Sequence, residues 1–229
     1  MKLKDLSIVV PSKNEYQNLK FILPKLKKYS SDVIVADSFS NDGTKELCKN
    51  FNVKFVLDTF GGKGAAQILG AKKAKNKFIL FFDSDGSHDE RHIPTIYKKI
   101  KKYDLVICSR QTGGSYDLDF HKSISGLVRS YGCLFLTYFF NKLFAAQFTD
   151  ILYSFRAVKR KSFLKMNLTE MKFGIEIDML TCAIKKNMLI SEIPSRENKR
   201  VYGVSKLKTL SGVYFIYQLL RDYLKLKIT

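Results

Sequence analysis

Apolar positions along this chain follow two periods in turn. "LSIVVP" (6–11), "DVIVAD" (32–37), "VKFVLD" (53–58), "KFILFFD" (77–83) and "DLVICSR" (104–110) are short runs rich in β-branched and aromatic residues. Such runs read as buried strands. Between them the apolar residues recur every three to four positions. Glu15 to Tyr29 places Leu19, Ile22, Leu23 and Leu26 on one helical face, and 41–51 reads as a turn plus a helix capped near Asn41 or Asp42. Residues 61–75 form a glycine loop opening an alanine-rich helix, and 92–103 a helix with Pro94 near its start.

Strands alternating with helices predict right-handed crossovers and an α/β fold with a mostly parallel sheet. After about residue 115 the alternation stops. The spacing then predicts an aromatic helix over 121–147, a strand over 150–158, a helix over 173–186, a strand at 189–194 and an amphipathic helix over 206–226. With no repeat, linker or low-complexity segment, the expectation is one domain over 1–229. Its 1–115 half would hold the ligand-binding sheet.

In such sheets ligands bind beyond the carboxyl ends of the strands. Pro11, Asp37, Asp58, Asp83 and Arg110 all fall at strand ends. Asp83 and Asp85, one residue apart, point to the same side of an extended chain. Hard cations such as Mg2+ or Mn2+ take oxygen ligands and bridge protein to phosphates. The pair therefore fits a metal–diphosphate site with Asp85 as the direct ligand; a plain turn after a buried strand is the other reading.

Composition adds a second constraint. The 229 residues carry 40 Lys+Arg against 21 Asp+Glu, a formal net charge of +19. Nucleic acid, an anionic membrane face and a phosphorylated ligand are the usual partners of such a chain. Four cysteines without paired spacing argue against a disulfide framework or zinc site and fit a reducing, cytoplasmic location. The opening apolar run is too short for a secretory signal, and charged or polar residues break both long apolar stretches before membrane-span length.

"GGKG" (61–64) is neither a full phosphate loop nor a dinucleotide fingerprint, because Gly64 follows Lys63 where Ser or Thr would stand. It would also fit the loop of a KH-type RNA-binding module, which needs no strand-end carboxylates. Taken in order, however, "IVVPSKNE" (8–15), "DSFSNDGT" (37–44), "GKG" (62–64) and "FFDSDGSH" (81–88) resemble the family 2 glycosyltransferases of the GT-A type. That resemblance implies an inverting, metal-dependent transferase using a GDP- or UDP-linked sugar. It implies donor contacts from Pro11, Glu15, Asp37, Lys63, Asp83 and Asp85, with Mg2+ or Mn2+ on Asp83 and Asp85. The family often carries Asp-Asp at the second motif, where this chain has Asp37-Ser38.

The 116–229 half, through "FTDILYSFRAVKR" (148–160), "FGIEIDML" (173–180) and "EIPSRENKRVYGVSKLK" (192–208), is similar to dolichyl-phosphate mannosyltransferases and related polyprenyl-phosphate glycosyltransferases. This branch implies a polyprenyl phosphate acceptor, contacted by Lys122, Ser125, Arg129, Arg200, Ser205 and Lys206. Arg110 and Arg200 join Asp85 as expected catalytic residues. Lys122 stands where that group has Arg, which loses bidentate phosphate contact. Peripheral association with the cytoplasmic membrane face, through 131–148 and 206–226, and no nucleic-acid partner are also implied. A phosphate acceptor is already ionised and needs no base, whereas a glycan or lipopolysaccharide-type hydroxyl would need one, from Asp150 or Glu176. A basic RNA- or membrane-binding module is the rival from outside enzymes, and would bind nucleic acid in a salt-sensitive way.

Overall fold

The computed structural model describes residues 2–115, 124–204 and 211–228, with the side chains of 124, 125, 127 and 226–228 outside that description. In chain order the elements are β1 (Leu6–Ser12), α1 (Tyr16–Leu26), β2 (Asp32–Asp37), α2 (Thr44–Asn50), β3 (Lys54–Leu57), α3 (Lys63–Lys73), β4 (Phe78–Phe81) and α4 (Ile93–Ile100). There follow β5 (Leu105–Ser109), α5 (Ile124–Phe144), β6 (Arg156–Lys159), α6 (Arg160–Met166), α7 (Ile175–Lys185), β7 (Ile190–Pro194) and α8 (Ser211–Ile228).

The strands make one seven-stranded sheet in the order β3-β2-β1-β4-β6-β5-β7. β3, β2, β1 and β4 run parallel, as do β5 and β7, and β6 lies antiparallel between β4 and β5. Alternation along each strand sends side chains to opposite faces. Ile8, Val10, Val33, Val35 and Leu80 pack with Leu19, Leu23 and Ile96 of α1 and α4. Val9, Ile34, Ile79 and Phe81 pack with Ile68 of α3, Phe140 of α5, Leu180 of α7 and Leu219 of α8. The expected parallel α/β sheet is therefore present, covered on both faces.

Two features depart from the pattern. The expected strand over 150–158 shortens to β6, and α6 follows it directly. Arg156 explains the first: it is 1% exposed, and its guanidinium donates to the carbonyls of Ile151, Tyr153 and Glu176. The Asp150 carboxylate accepts from Leu152 N and Tyr153 N. Those bonds hold 150–155 in a turn that a ladder would have to break.

The glycine loop meets the chain's own backbone. Gly64 N donates to Lys172 O and Ala65 N to Met171 O, so closely that a Cβ on Gly64 would lie 2.2 Å from Glu170 O. The same 170–174 segment is held by α8: Tyr214 donates to Glu170, and Gln218 Nε2 to Gly174 O at 2.9 Å.

Both late helices keep an apolar face open. Tyr131, Phe135 and Tyr138 on α5, and Val213, Tyr217, Leu220 and Leu224 on α8, are exposed. Among the described residues no helix is long and apolar enough to cross a membrane.

Candidate active site

The carboxyl ends of β1, β2, β3, β4 and β5 form one rim, and each delivers a charged or polar group to it. Pro11 lies buried within β1, paired with Ala36, and Glu15 follows as the residue preceding α1. Asp37 ends β2 and accepts from Ser40 N at 2.8 Å and from Ser40 Oγ. Asp58, just past β3, accepts from Ser38 Oγ at 2.8 Å and from the backbone of Phe60 and Gly61. Ser38 and Asp58 are 4% and 0% exposed, so Ser38 is the partner that Asp58 requires. A second carboxylate in its place would face Asp58 without a proton between them.

Asp42 holds two helix starts together. Its carboxylate accepts from Tyr16 N at the head of α1 and from Thr44 N and Oγ1 at the head of α2. Those hydrogen bonds outweigh its burial and keep its pKa below the usual carboxylate value. Negative charge at a helix start is favourable on dipole grounds as well.

The loop after β4 carries the acidic pair. Asp83 Oδ2 accepts from Lys63 Nζ at 3.2 Å and from Ser154 Oγ. Lys63 also reaches Glu176 Oε1 at 3.0 Å. Burial opposes the Lys63 charge, but Asp83 and then Glu176 more than offset it and raise its pKa. Burial likewise opposes the Asp83 carboxylate, yet Lys63 beside it keeps its pKa below the ordinary value. His88 is 2% exposed and stacks on Phe155 at 4.6 Å between ring centroids. Burial drives its pKa down, so the ring is neutral near pH 7.

Asp85 faces a different cation. Arg200 Nη2 lies 3.5 Å from Asp85 Oδ2, while its Nη1 donates to both oxygens of Glu15 at 3.1 Å. Residues 196–204 lie across this end of the rim. Val201 N donates to Asp85 O, Asn198 N to Ser87 O, and Tyr202 and Asn18 exchange hydrogen bonds at 3.0 and 3.1 Å. Val201 packs so close to Gly86 that a Cβ there would lie 2.6 Å from it, and Gly86 also has φ of +78°. Only glycine fits both conditions at no cost.

Arg110, the first residue past β5, is paired through Nε and Nη2 with Asp150 at 2.7 and 3.1 Å, and its Nη1 lies 3.4 Å from Glu197 Oε2. Asp150 is fully buried and held below its ordinary pKa, with Arg110 as the cause that overcomes burial. Glu197 moves the other way, raised by burial despite Arg110.

The structure thus gathers Glu15, Asp37, Lys63, Asp83, Asp85, Arg110 and Arg200 on one rim. Arg129 is exposed on α5. Lys122, Ser205, Lys206 and the side chain of Ser125 lie outside the described residues. Sequence reasoning did not single out His88, Ser154 or Glu197 as site residues. His88 and Ser154 are 66 positions apart, and only the antiparallel insertion of β6 beside β4 brings them together.

A hard cation fits the acidic pair. The Asp83 and Asp85 side chains are 24% and 22% exposed. Among the described residues no hydrogen bond reaches Asp83 Oδ1, and Asp85 Oδ2 has only the 3.5 Å approach of Arg200. Among the described residues no third His, Cys, Asp or Glu joins them to complete an all-protein cage. Two carboxylate oxygens completed by a diphosphate is the arrangement Mg2+ and Mn2+ adopt.

Known proteins resemble this chain in sequence and in fold. The sequence profile described as Glycosyl transferase family 2 matches residues 7–166. Glycosyltransferase AglJ of Haloferax volcanii is 26% identical over 199 residues, which span 86% of this chain but 64% of that protein. The undecaprenyl-phosphate mannosyltransferase of Micrococcus luteus is 26% identical over 216 residues, 87% of this chain and 86% of that protein. Among solved structures, glucosyl-3-phosphoglycerate synthase from Mycobacterium tuberculosis, in complex with Mn2+, UDP-glucose and phosphoglyceric acid, superposes with a TM-score of 0.73 at 18% identity. The match covers 95% of this chain and 79% of that one, a likeness of fold.

Proposed function

We propose that this chain, which belongs to glycosyl transferase family 2, transfers a sugar with inversion from a GDP- or UDP-linked donor to a polyprenyl phosphate at a membrane surface. The acceptor's phosphate oxygen attacks the anomeric carbon, and the bond from that carbon to the donor diphosphate breaks with its electron pair on the diphosphate. No proton has to be removed. A divalent ion, Mg2+ or Mn2+, held by Asp83 and Asp85 would neutralise the leaving diphosphate. Glu15 and Asp37 hold the base and ribose, with Pro11 lining the pocket. Lys63 keeps Asp83 ionised and adds positive charge beside the donor. Arg110, Arg129 and Arg200, with Lys122, Ser125, Ser205 and Lys206, receive the acceptor phosphate.

The observation carrying the phosphate reading is the state of the two base candidates. Asp150 is tied to Arg110 by two bonds, and Glu176 is paired with Lys63. A hydroxyl acceptor needs an unengaged base, and a phosphate does not. The named activity of the Micrococcus luteus relative points the same way. The exposed apolar faces of α5 and α8 suit the head-group layer of a bilayer, and the net charge of +19 suits an anionic one. Residues 1–115 then serve the donor and 116–229 the acceptor, with Arg110 of the first half also reaching the acceptor phosphate, within one working unit.

A second reading rests on Glu197. It is 26% exposed in its side chain, its pKa is raised by burial, and its contact with Arg110, at 3.4 Å, is longer than the Arg110–Asp150 bonds, which suits it better than Asp150 as a base for a glycan hydroxyl. Labelled GDP- and UDP-sugars offered with polyprenyl phosphate or with glycan acceptors separate the two, and product on the lipid alone supports the first. Asp85→Asn is expected to abolish Mn2+-dependent nucleotide binding and transfer while the fold persists. Undiminished transfer by that variant ends the metal-assisted mechanism.

A further inference from the structure

Asp83 is the start and the end of a closed, one-way ring of hydrogen bonds. Its backbone N–H donates to His88 Nδ1 at 3.1 Å. That bond leaves the ring proton of neutral His88 on Nε2, which stands 3.2 Å from Ser154 Oγ. Ser154 Oγ donates in turn to Asp83 Oδ2. The imidazole cannot drift, because it stacks on Phe155 with an interplanar angle of 17° and meets Phe82 and Tyr153 edge-on at about 80°. Main chain and carboxylate of one residue are thereby fixed by the same two side chains. Lys63 takes the remaining capacity of Oδ2, and no hydrogen bond reaches Oδ1 among the described residues.

We propose that His88 and Ser154 are positioning residues that turn Asp83 Oδ1 toward the divalent ion of the donor complex. This rests on the metal-assisted reading of the site given above. A free aspartate samples several rotamers with equivalent oxygens, whereas the ring makes the two oxygens different: one is spent inward and one is offered outward. Groups bonded to metal-ligating side chains commonly change metal affinity by about 10–100-fold when removed. His88 belongs to this device as a neutral ring, with one nitrogen accepting and the other donating.

Ser154→Ala removes the last link with the smallest change of volume. Titration of the protein with UDP or GDP in the presence and absence of Mn2+, read by calorimetry, is expected to show Mn2+-dependent nucleotide affinity reduced about 10–100-fold. Metal-free nucleotide affinity should stay at the wild-type value, and Ser154→Thr, which keeps the hydroxyl, should recover most of the loss. Nitrogen-15 NMR of the wild-type protein should find His88 protonated on Nε2 and bare on Nδ1. A Ser154→Ala protein with wild-type Mn2+ dependence, or a His88 protonated on Nδ1, overturns the proposal even where His88 variants fail to fold. If Mn2+ leaves wild-type nucleotide binding unchanged, the metal-assisted reading itself falls and takes this one with it; a wild-type Mn2+ effect that Ser154→Ala retains removes only the positioning role.

Discussion

Replacing Arg200 with Ala should tighten donor binding while it weakens transfer. The guanidinium now joins Glu15, 185 positions away in sequence, to Asp85, so one side chain covers both the base end and the metal end of the donor site. A nucleotide–metal complex that uses Glu15 and Asp85 has to displace it. Charge-assisted hydrogen bonds of this kind contribute about 1.5–3 kcal/mol. The Arg200 and Asp85 side chains are 21% and 22% exposed, and the Asp85 approach is long, so screening lowers the figure to about 1–2 kcal/mol. Removing that cost should lower the Kd for UDP·Mn2+ or GDP·Mn2+ by about 5–30-fold. Asp85, relieved of the Arg200 approach, adds to the gain for a divalent ion. Calorimetric titration checks the affinity, and labelled-sugar transfer to polyprenyl phosphate should drop at least tenfold, because the acceptor loses a cation. Donor affinity that weakens or does not move would show that Arg200 does not compete with the donor.

Three sites give further outcomes. Ser38→Asp restores the Asp-Asp of the family motif but sets a second buried carboxylate against Asp58, and should destabilise folding by about 3 kcal/mol in urea titration. For pH dependence, burial holds the folded-state pKa of His88 below 6.5, so only the unfolded chain binds that proton as pH falls below about 6.5. Stability should therefore decline on acidification by about 1.4 kcal/mol per pH unit in that range. Below about pH 3.8 Asp83, whose folded-state pKa is depressed, adds a second loss as it is forced to take a proton. His88→Gln should flatten the upper limb in denaturant midpoints measured between pH 7.5 and 5 and leave the lower limb in place.

The first half of the molecule was readable because its strands obey one rule: an apolar run ends where a polar residue meets the ligand crevice. Asp37, Asp58, Asp83 and Arg110 could be placed on the rim without coordinates for that reason. β6 resisted because four residues carry little periodicity, and its position depends on pairing with β4 and β5 at once. Nothing in the pattern marks Arg156 as a buried cation satisfied by carbonyls. A basic residue in a loop reads as a phosphate contact, but that Arg200 also joins Glu15 to Asp85 was not legible, because those partners come from opposite ends of the motif series. Lys63 was expected at the donor; what the sequence did not show is that the glycines beside it, Gly62 and Gly64, pack against the backbone of residues 170–172. Lys63 alone faces the rim, through Asp83 and Glu176.

That contact has a practical consequence for anyone re-engineering the tail of this molecule. α8 holds the 170–174 segment through Tyr214 and Gln218, and the segment buttresses the turn from which Lys63 extends. Swapping α8 for an artificial lipid tether would strip a strut from beneath the nucleotide pocket, so purification tags and anchors are better attached beyond it than in its stead.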